Sequence, residues 1–101
     1  NHIEVIRKNM FLNLNSLIAL DLSCNKIKKI EADSFLSLST LMILQLNSNY
    51  LSDLNEFTFR NLNNLFYLAL HQNQFNKISM SYFNGLPNLK YLYFFSNNLK
   101  Y

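Results

Sequence analysis

Glycine (Gly85), proline (Pro87) and cysteine (Cys24) each occur once in the 101 residues, and tryptophan does not occur. One glycine is too few for a phosphate-cradling loop, which needs several. One cysteine excludes a disulfide within the chain, and Cys24 has no second cysteine at a ligand spacing with which to hold a metal. His2 and His71 are equally isolated, so no metal site is expected. Long apolar runs are missing as well. The longest, such as Leu65–Leu70, fall far short of the roughly 20 residues a bilayer-crossing helix requires. No basic segment followed by an apolar stretch and a small-residue cleavage site opens the chain, so no signal peptide is visible. Asn occurs 17 times but never in Asn-x-Ser/Thr, which weighs against heavy glycosylation of this stretch. Charged residues make up only 15% of the chain and hydrophobic ones 50%, a balance that excludes disorder.

What is present is a period. Asn1, Asn25, Asn49, Asn73 and Asn97 fall 24 residues apart, and apolar positions recur around each of them. The segments LIALDLSCNKI from Leu17, LMILQLNSNYL from Leu41, LFYLALHQNQF from Leu65 and LKYLYFFSNNL from Leu89 all fit L-x-x-L-x-L-x-x-N-x-L, with Ile or Phe replacing Leu in places. Three further columns follow the Asn: Ile6, Ile30, Leu54, Ile78; Phe11, Phe35, Phe59, Phe83; and Leu14, Leu38, Leu62, Leu86.

A unit of 24 residues cannot hide its own apolar face and has to stack on a neighbour, so the period predicts a solenoid. The alternation in Leu20-Asp21-Leu22 and its copies has the spacing of a strand. It predicts short parallel strands near residues 19–21, 43–45, 67–69 and 91–93. An Asn after each strand can accept from and donate to backbone groups that a bend leaves unpaired. Asn25, Asn49, Asn73 and Asn97 are therefore expected to form a buried structural ladder, and the Phe column to fill the wider side of each coil.

These motifs resemble the leucine-rich repeat family, in the typical 24-residue variety that carries a Phe in the second half of each repeat, and the resemblance covers all 101 residues. It implies an α/β fold, a right-handed leucine-rich repeat solenoid with short parallel strands on the concave face and loops or 3-10 turns on the convex one. The domain reading is a single array over 1–101: a partial repeat 1–16, full repeats 17–40, 41–64 and 65–88, and a partial repeat 89–101. Terminal repeats of a solenoid normally carry a cap; both ends here are uncapped, so the chain is expected to be a fragment of a longer protein.

Ser, His and Asp are all present, and the repeat arithmetic decides whether they meet. Asp21 and Ser23 each lie two rungs from His71. With strands about 4.8 Å apart, two rungs separate the backbones by roughly 10 Å, too far for the direct hydrogen bonds of nucleophilic catalysis. No catalytic residue is assigned, no cofactor is called for, and the chain is read as not an enzyme. The net charge of +3 raises nucleic acid as a partner, with Lys26, Lys28 and Lys29 as the densest cluster. The column through Lys29 continues as Asp53, Lys77 and Tyr101, so an acidic residue interrupts any basic track. Nucleic acid is therefore not the expected partner. Gly85 and Pro87, in Phe-Asn-Gly-Leu-Pro-Asn-Leu (83–89), read as turn-makers on the convex side.

The outward side of the strands is left to carry specificity. Its columns run Ala19, Ile43, Tyr67, Tyr91; Asp21, Gln45, Ala69, Tyr93; and Ser23, Asn47, His71, Phe95, with Ile18, Met42, Phe66 and Lys90 nearer the sheet edge. Small and polar residues give way to aromatics along the chain. Aromatic side chains are enriched at interface hot spots, so the expected partner-binding residues are Asp21, Ile43, Gln45, Tyr67, His71, Tyr91, Tyr93 and Phe95. If the rings serve the sheet instead, Tyr67 is expected to stack across the strand gap on Tyr91; a further alternative is that the next repeat of the longer protein covers the apolar patch near the truncated end.

The resemblance adds function. It implies a non-catalytic module that binds a protein or peptide ligand through the concave sheet. It also implies an extracellular or cell-surface ectodomain, as in Toll-type receptors, hormone receptors with repeat ectodomains, axon-guidance proteins and small proteoglycans. The plant-type variety, with Gly and Ile-Pro after the Asn, does not fit, since residues 27–30 read Ile-Lys-Lys-Ile. The alternatives are the sensing segment of a larger transmembrane receptor or receptor kinase and, third, an intracellular adaptor.

Overall fold

The computed structural model describes residues 2–97; Asn1 and Tyr101, named in the columns above, lie outside them. Four strands, β2 (Ala19–Asp21), β4 (Ile43–Gln45), β5 (Tyr67–Ala69) and β6 (Tyr91–Tyr93), form one parallel sheet in the order β2-β4-β5-β6. The register follows the period without a slip: Ala19 pairs with Ile43, Ile43 with Tyr67 and Tyr67 with Tyr91. Each strand is short because the chain must turn to complete the coil. The rung-to-rung bonding nevertheless runs past the strand ends, with Leu22 N–H donating to the Gln45 carbonyl at 2.8 Å, Leu46 to Ala69 at 2.9 Å and Leu70 to Tyr93 at 2.7 Å.

A second, two-stranded parallel sheet joins β1 (Val5–Ile6) to β3 (Lys29–Ile30). The family resemblance implies only loops and 3-10 turns on the convex side, so this pair is a departure from it. Val5, Ile6 and Ile30 are β-branched and favour the extended backbone; Ser52-Asp53-Leu54 in the next coil has no such residue, and the pairing does not extend to it. One 3-10 helix, Met80–Phe83, is capped by Ser79, whose hydroxyl accepts from the Ser81 N–H.

The core lies between the sheet and the return segments. Leu41, Leu44, Leu46, Leu51, Leu65, Leu68 and Leu70 are fully buried, as are Phe35 and Phe59. Phe11 stacks on Phe35 with ring centroids 5.8 Å apart, and Phe35 on Phe59 at 6.3 Å, so the Phe column is a continuous spine through three coils. In the fourth coil Phe83 meets the buried Tyr82 edge-on instead. Leu14 and Ile78 are exposed, unlike the other members of their columns.

Gly85 is needed for close approach, not for its backbone angle: its φ is not positive. A Cβ there would stand 2.4 Å from the Phe59 carbonyl oxygen, which is backbone and cannot swing away.

Candidate functional site

The Asn column bridges consecutive coils. Asn49 Oδ1 accepts from Ile27 N–H at 3.1 Å, Asn73 Oδ1 from Leu51 N–H at 3.0 Å and Asn97 Oδ1 from Phe75 N–H at 3.2 Å. Asn25 does the same with Ile3 at 3.4 Å. On the other side of the Asn49, Asn73 and Asn97 amides, Nδ2 donates to the carbonyl just after its own strand and to the equivalent one a coil earlier, whereas Asn25 Nδ2 donates only within its own coil, to Leu22 and Ser23. For Asn49 these are Leu46 and Leu22, both at 3.1 Å. For Asn73 they are Leu70 at 3.0 Å and Leu46 at 3.1 Å. Asn49 and Asn73 are buried. These side chains are committed to the backbone and cannot serve a partner.

One feature of this turn carries no sequence signal. The residue before each ladder Asn adopts a left-handed backbone, with φ of 58° at Cys24, 60° at Ser48, 57° at Gln72 and 56° at Ser96. None of the four is Gly or Asn, the types that take this conformation most readily, so the tight bend is imposed by the ladder and the rung bonds that flank it.

The outward side of the sheet divides into two parts. At β2, Asp21 accepts from the Ser23 hydroxyl at 2.6 Å and from its N–H at 2.9 Å. These two bonds hold the Asp21 carboxyl below its usual value and keep it ionised. Hydrogen-bonding sense turns the Gln45 amide nitrogen toward the same carboxylate, 3.3 Å from both oxygens. Ser23 and Asp21 thus do meet, but through a local turn.

At β5 and β6 the rings assemble. Tyr93 pairs in register with Ala69 and leans diagonally across it to Tyr67, with centroids 5.3 Å apart, leaving Ala69 1% exposed. His71 stacks on Phe95 at 4.4 Å with 13° between the planes, and meets Tyr93 edge-on at 6.4 Å. His71 Nδ1 is buried with no hydrogen-bond partner among the described residues; its company is aromatic. The expected stacking of Tyr67 on Tyr91 gives way to this diagonal pair, because Ala69 leaves a gap on the face that Tyr93 fills. Tyr91 turns to the sheet edge, against Phe66 at 6.2 Å and beneath Lys90 Nζ at 5.6 Å. The rings keep their outer surfaces open: Tyr91 is 44% exposed, Tyr93 39% and Phe95 57%.

Of the eight outward residues named from sequence, Tyr67, His71, Tyr93 and Phe95 are brought into one cluster, with Tyr91 beside it. Asp21 and Gln45 form a separate polar group; Ile43 lies between, half-buried, in register with Tyr67.

A second concavity lies away from this face, an open cleft of about 540 Å³ lined by Lys28, Lys29, Ile30, Glu31, Ala32, Asp53, Leu54 and Asn55. Its charges are largely spoken for: Lys28 pairs with Glu4 at 3.1 Å, Glu31 with Arg7 at 3.4 Å, and Asp53 accepts from the Tyr82 hydroxyl at 2.7 Å. Lys29 and Asp53 share the cleft, so it does not present the single sign of charge that a phosphate backbone requires. Among the described residues no group of three His, Cys, Asp or Glu is placed to hold a metal ion, and no helix is long and apolar enough to cross a membrane.

Among curated proteins none matches the chain. The family described as leucine rich repeat matches residues 1–42 and 39–99. Such repeats generally mediate recognition between proteins and are typically non-catalytic. A coil set by an Asn ladder, a parallel sheet in 24-residue register and a family match along almost its whole length agree: the chain belongs to the leucine-rich repeat family.

Proposed function

We propose that the chain is a non-catalytic recognition module that binds a protein or peptide partner through the open face of its main sheet, as part of an extracellular or cell-surface protein. The observation that carries this reading is the exposure of Tyr91, Tyr93 and Phe95 side by side on a face whose fixed backbone holds them in place. A rigid sheet loses little entropy on binding, and large amphipathic rings contribute most of the energy at such interfaces. Clustered exposed aromatics also exceed what scattered surface residues explain. The cell-surface placement is supported by the Phe spine, which matches the variety of repeat found in ectodomains.

Selection of peptides from a random displayed library against the chain tests the face. Peptides recovered in this way are expected to bind at least about ten-fold more weakly to a Tyr91→Ser, Phe95→Ser variant, and equally well to Lys28→Ser, which alters the cleft instead. Peptides indifferent to the ring substitutions and lost with Lys28→Ser would overturn the proposal. Antibody access to a tag on the parent protein in intact cells tests the location; access only after permeabilisation would place it inside.

A further inference from the structure

The charges of this molecule are unevenly placed. Of nine Lys and Arg and six Asp and Glu, the three central outward columns through β2, β4, β5 and β6 hold one, Asp21; Lys90 stands in the column nearer the sheet edge. Glu4, Glu31 and Asp33 are ion-paired to Lys28, Arg7 and Arg60, whereas Asp21 forms no ion pair among the described residues. The rings divide in the same way. Phe57 and Tyr91 already have a cation over them, Arg60 at 4.8 Å and Lys90 at 5.6 Å. Tyr93 and Phe95 have exposed ring surface and no cation of this chain above it among the described residues. A basic chain thus presents a face with one ionised carboxylate, a group of open π surfaces and no cation in its three outward columns.

Resting on the open-face reading above, we infer that the occupant is an extended segment of a partner protein bearing two basic side chains, one an arginine spread over Tyr93 and Phe95, the other facing Asp21. An arginine plane lies favourably on aromatic rings while its nitrogens stay hydrated. The spacing follows from the sheet. Three strand gaps separate β2 from β6, about 14 Å at 4.8 Å each. In an extended segment side chains on one side recur at every second residue, and four residues span about 13 Å. The two basic residues are therefore i and i+4 on a segment that crosses the strands, with the residue at i+2 over Gln45 and Ala69.

Four acetylated, amidated peptides test this on the isotope-labelled chain by chemical-shift titration: Arg-Ser-Thr-Ser-Arg, its shorter-spaced isomer Arg-Ser-Arg-Ser-Thr, and the versions of the first with Leu or Glu in place of both Arg. The first is expected to bind most tightly, to shift Tyr93, Phe95 and Asp21 together, and to weaken with added salt. Asp21→Asn, which keeps the oxygen that Ser23 bonds, should weaken it about two- to five-fold and leave the Leu peptide unaffected. Tighter binding of the Leu peptide on the same rings would overturn the cationic occupant while leaving the open-face reading intact. Equal binding by the two spacings would overturn the two-point register. Shifts confined to the cleft residues, for every peptide, would overturn the occupant and count against the face itself.

Discussion

Asn73 Oδ1 accepts from the N–H of Leu51, 22 residues earlier, at 3.0 Å, while its Nδ2 donates to carbonyls of both its own coil and the one before. One side chain therefore fixes the distance and the phase between two coils. Because the same bonds recur at Asn49 and Asn97, the coils share one geometry, and the strands on the other side of the turn stay in register.

Asn49→Ala removes an acceptor from the buried Ile27 N–H and donors from the Leu22 and Leu46 carbonyls. Unfolding in urea should show a loss of about 2–3 kcal/mol. Asn25→Ala should cost less, since its bond to Ile3 is longer, at 3.4 Å, and partly exposed. Equal costs at the two sites would argue that burial does not set the ladder's strength.

Phe35 is fully buried between Phe11 and Phe59. Phe35→Ala is expected to lose about 3–5 kcal/mol, the usual cost of emptying a ring-sized site. Phe11 is only partly buried against the core, and its replacement should cost clearly less; calorimetric unfolding of the two variants checks the difference.

Cys24 is exposed, yet its φ of 58° makes its backbone selective. Cys24→Val should destabilise by about 1–2 kcal/mol, because a β-branched side chain crowds the left-handed backbone. Cys24→Gly should be neutral or stabilise by up to about 1 kcal/mol, relief of strain being set against the greater freedom of glycine in the unfolded chain. A thermal melt of each variant separates this backbone effect from any role of the thiol.

Tyr82 donates to Asp53 at 2.7 Å from a buried ring, and burial followed by that bond raises its hydroxyl above the ordinary value of 10.0. The folded chain then holds this proton more tightly than the unfolded one. Its contribution to stability is complete below pH 10.0 and declines as pH rises through the raised value. Asp21 behaves oppositely: its carboxyl is lowered, so its contribution is present above pH 3.8 and lost as pH falls through the lowered value. Tyr82→Phe should cost about 1–2 kcal/mol at neutral pH and flatten the alkaline limb of the stability profile.

The period made most of the fold legible, since the four main strands and the Phe and Leu columns depend on a spacing that a sequence displays directly. The β1–β3 pair was not legible because it rests on the local accident of β-branched residues at Val5, Ile6 and Ile30. Nor was the left-handed bend at Cys24, Ser48, Gln72 and Ser96, where tertiary bonding overrides residue preference. On the open face the columns identified which side chains point outward but not how they lean. A small residue at Ala69 decided that Tyr93 crosses to Tyr67, and a column read in isolation pairs only direct neighbours. That lean also means Tyr67 and Tyr93 cover the sheet as well as facing solvent, which leaves Tyr91 and Phe95 as the cleaner probes of binding.

The separation of scaffold from recognition is tested most directly by measuring melting temperature and affinity for a library-selected peptide on one protein, the Tyr91→Ser, Phe95→Ser variant. The account predicts an affinity loss of at least about ten-fold with a melting temperature within about 4 °C of the parent chain, the shift that about 1 kcal/mol produces in a domain of this size. A melting temperature that falls much further, with affinity unchanged in the folded fraction, would contradict it and assign the rings to holding the sheet together.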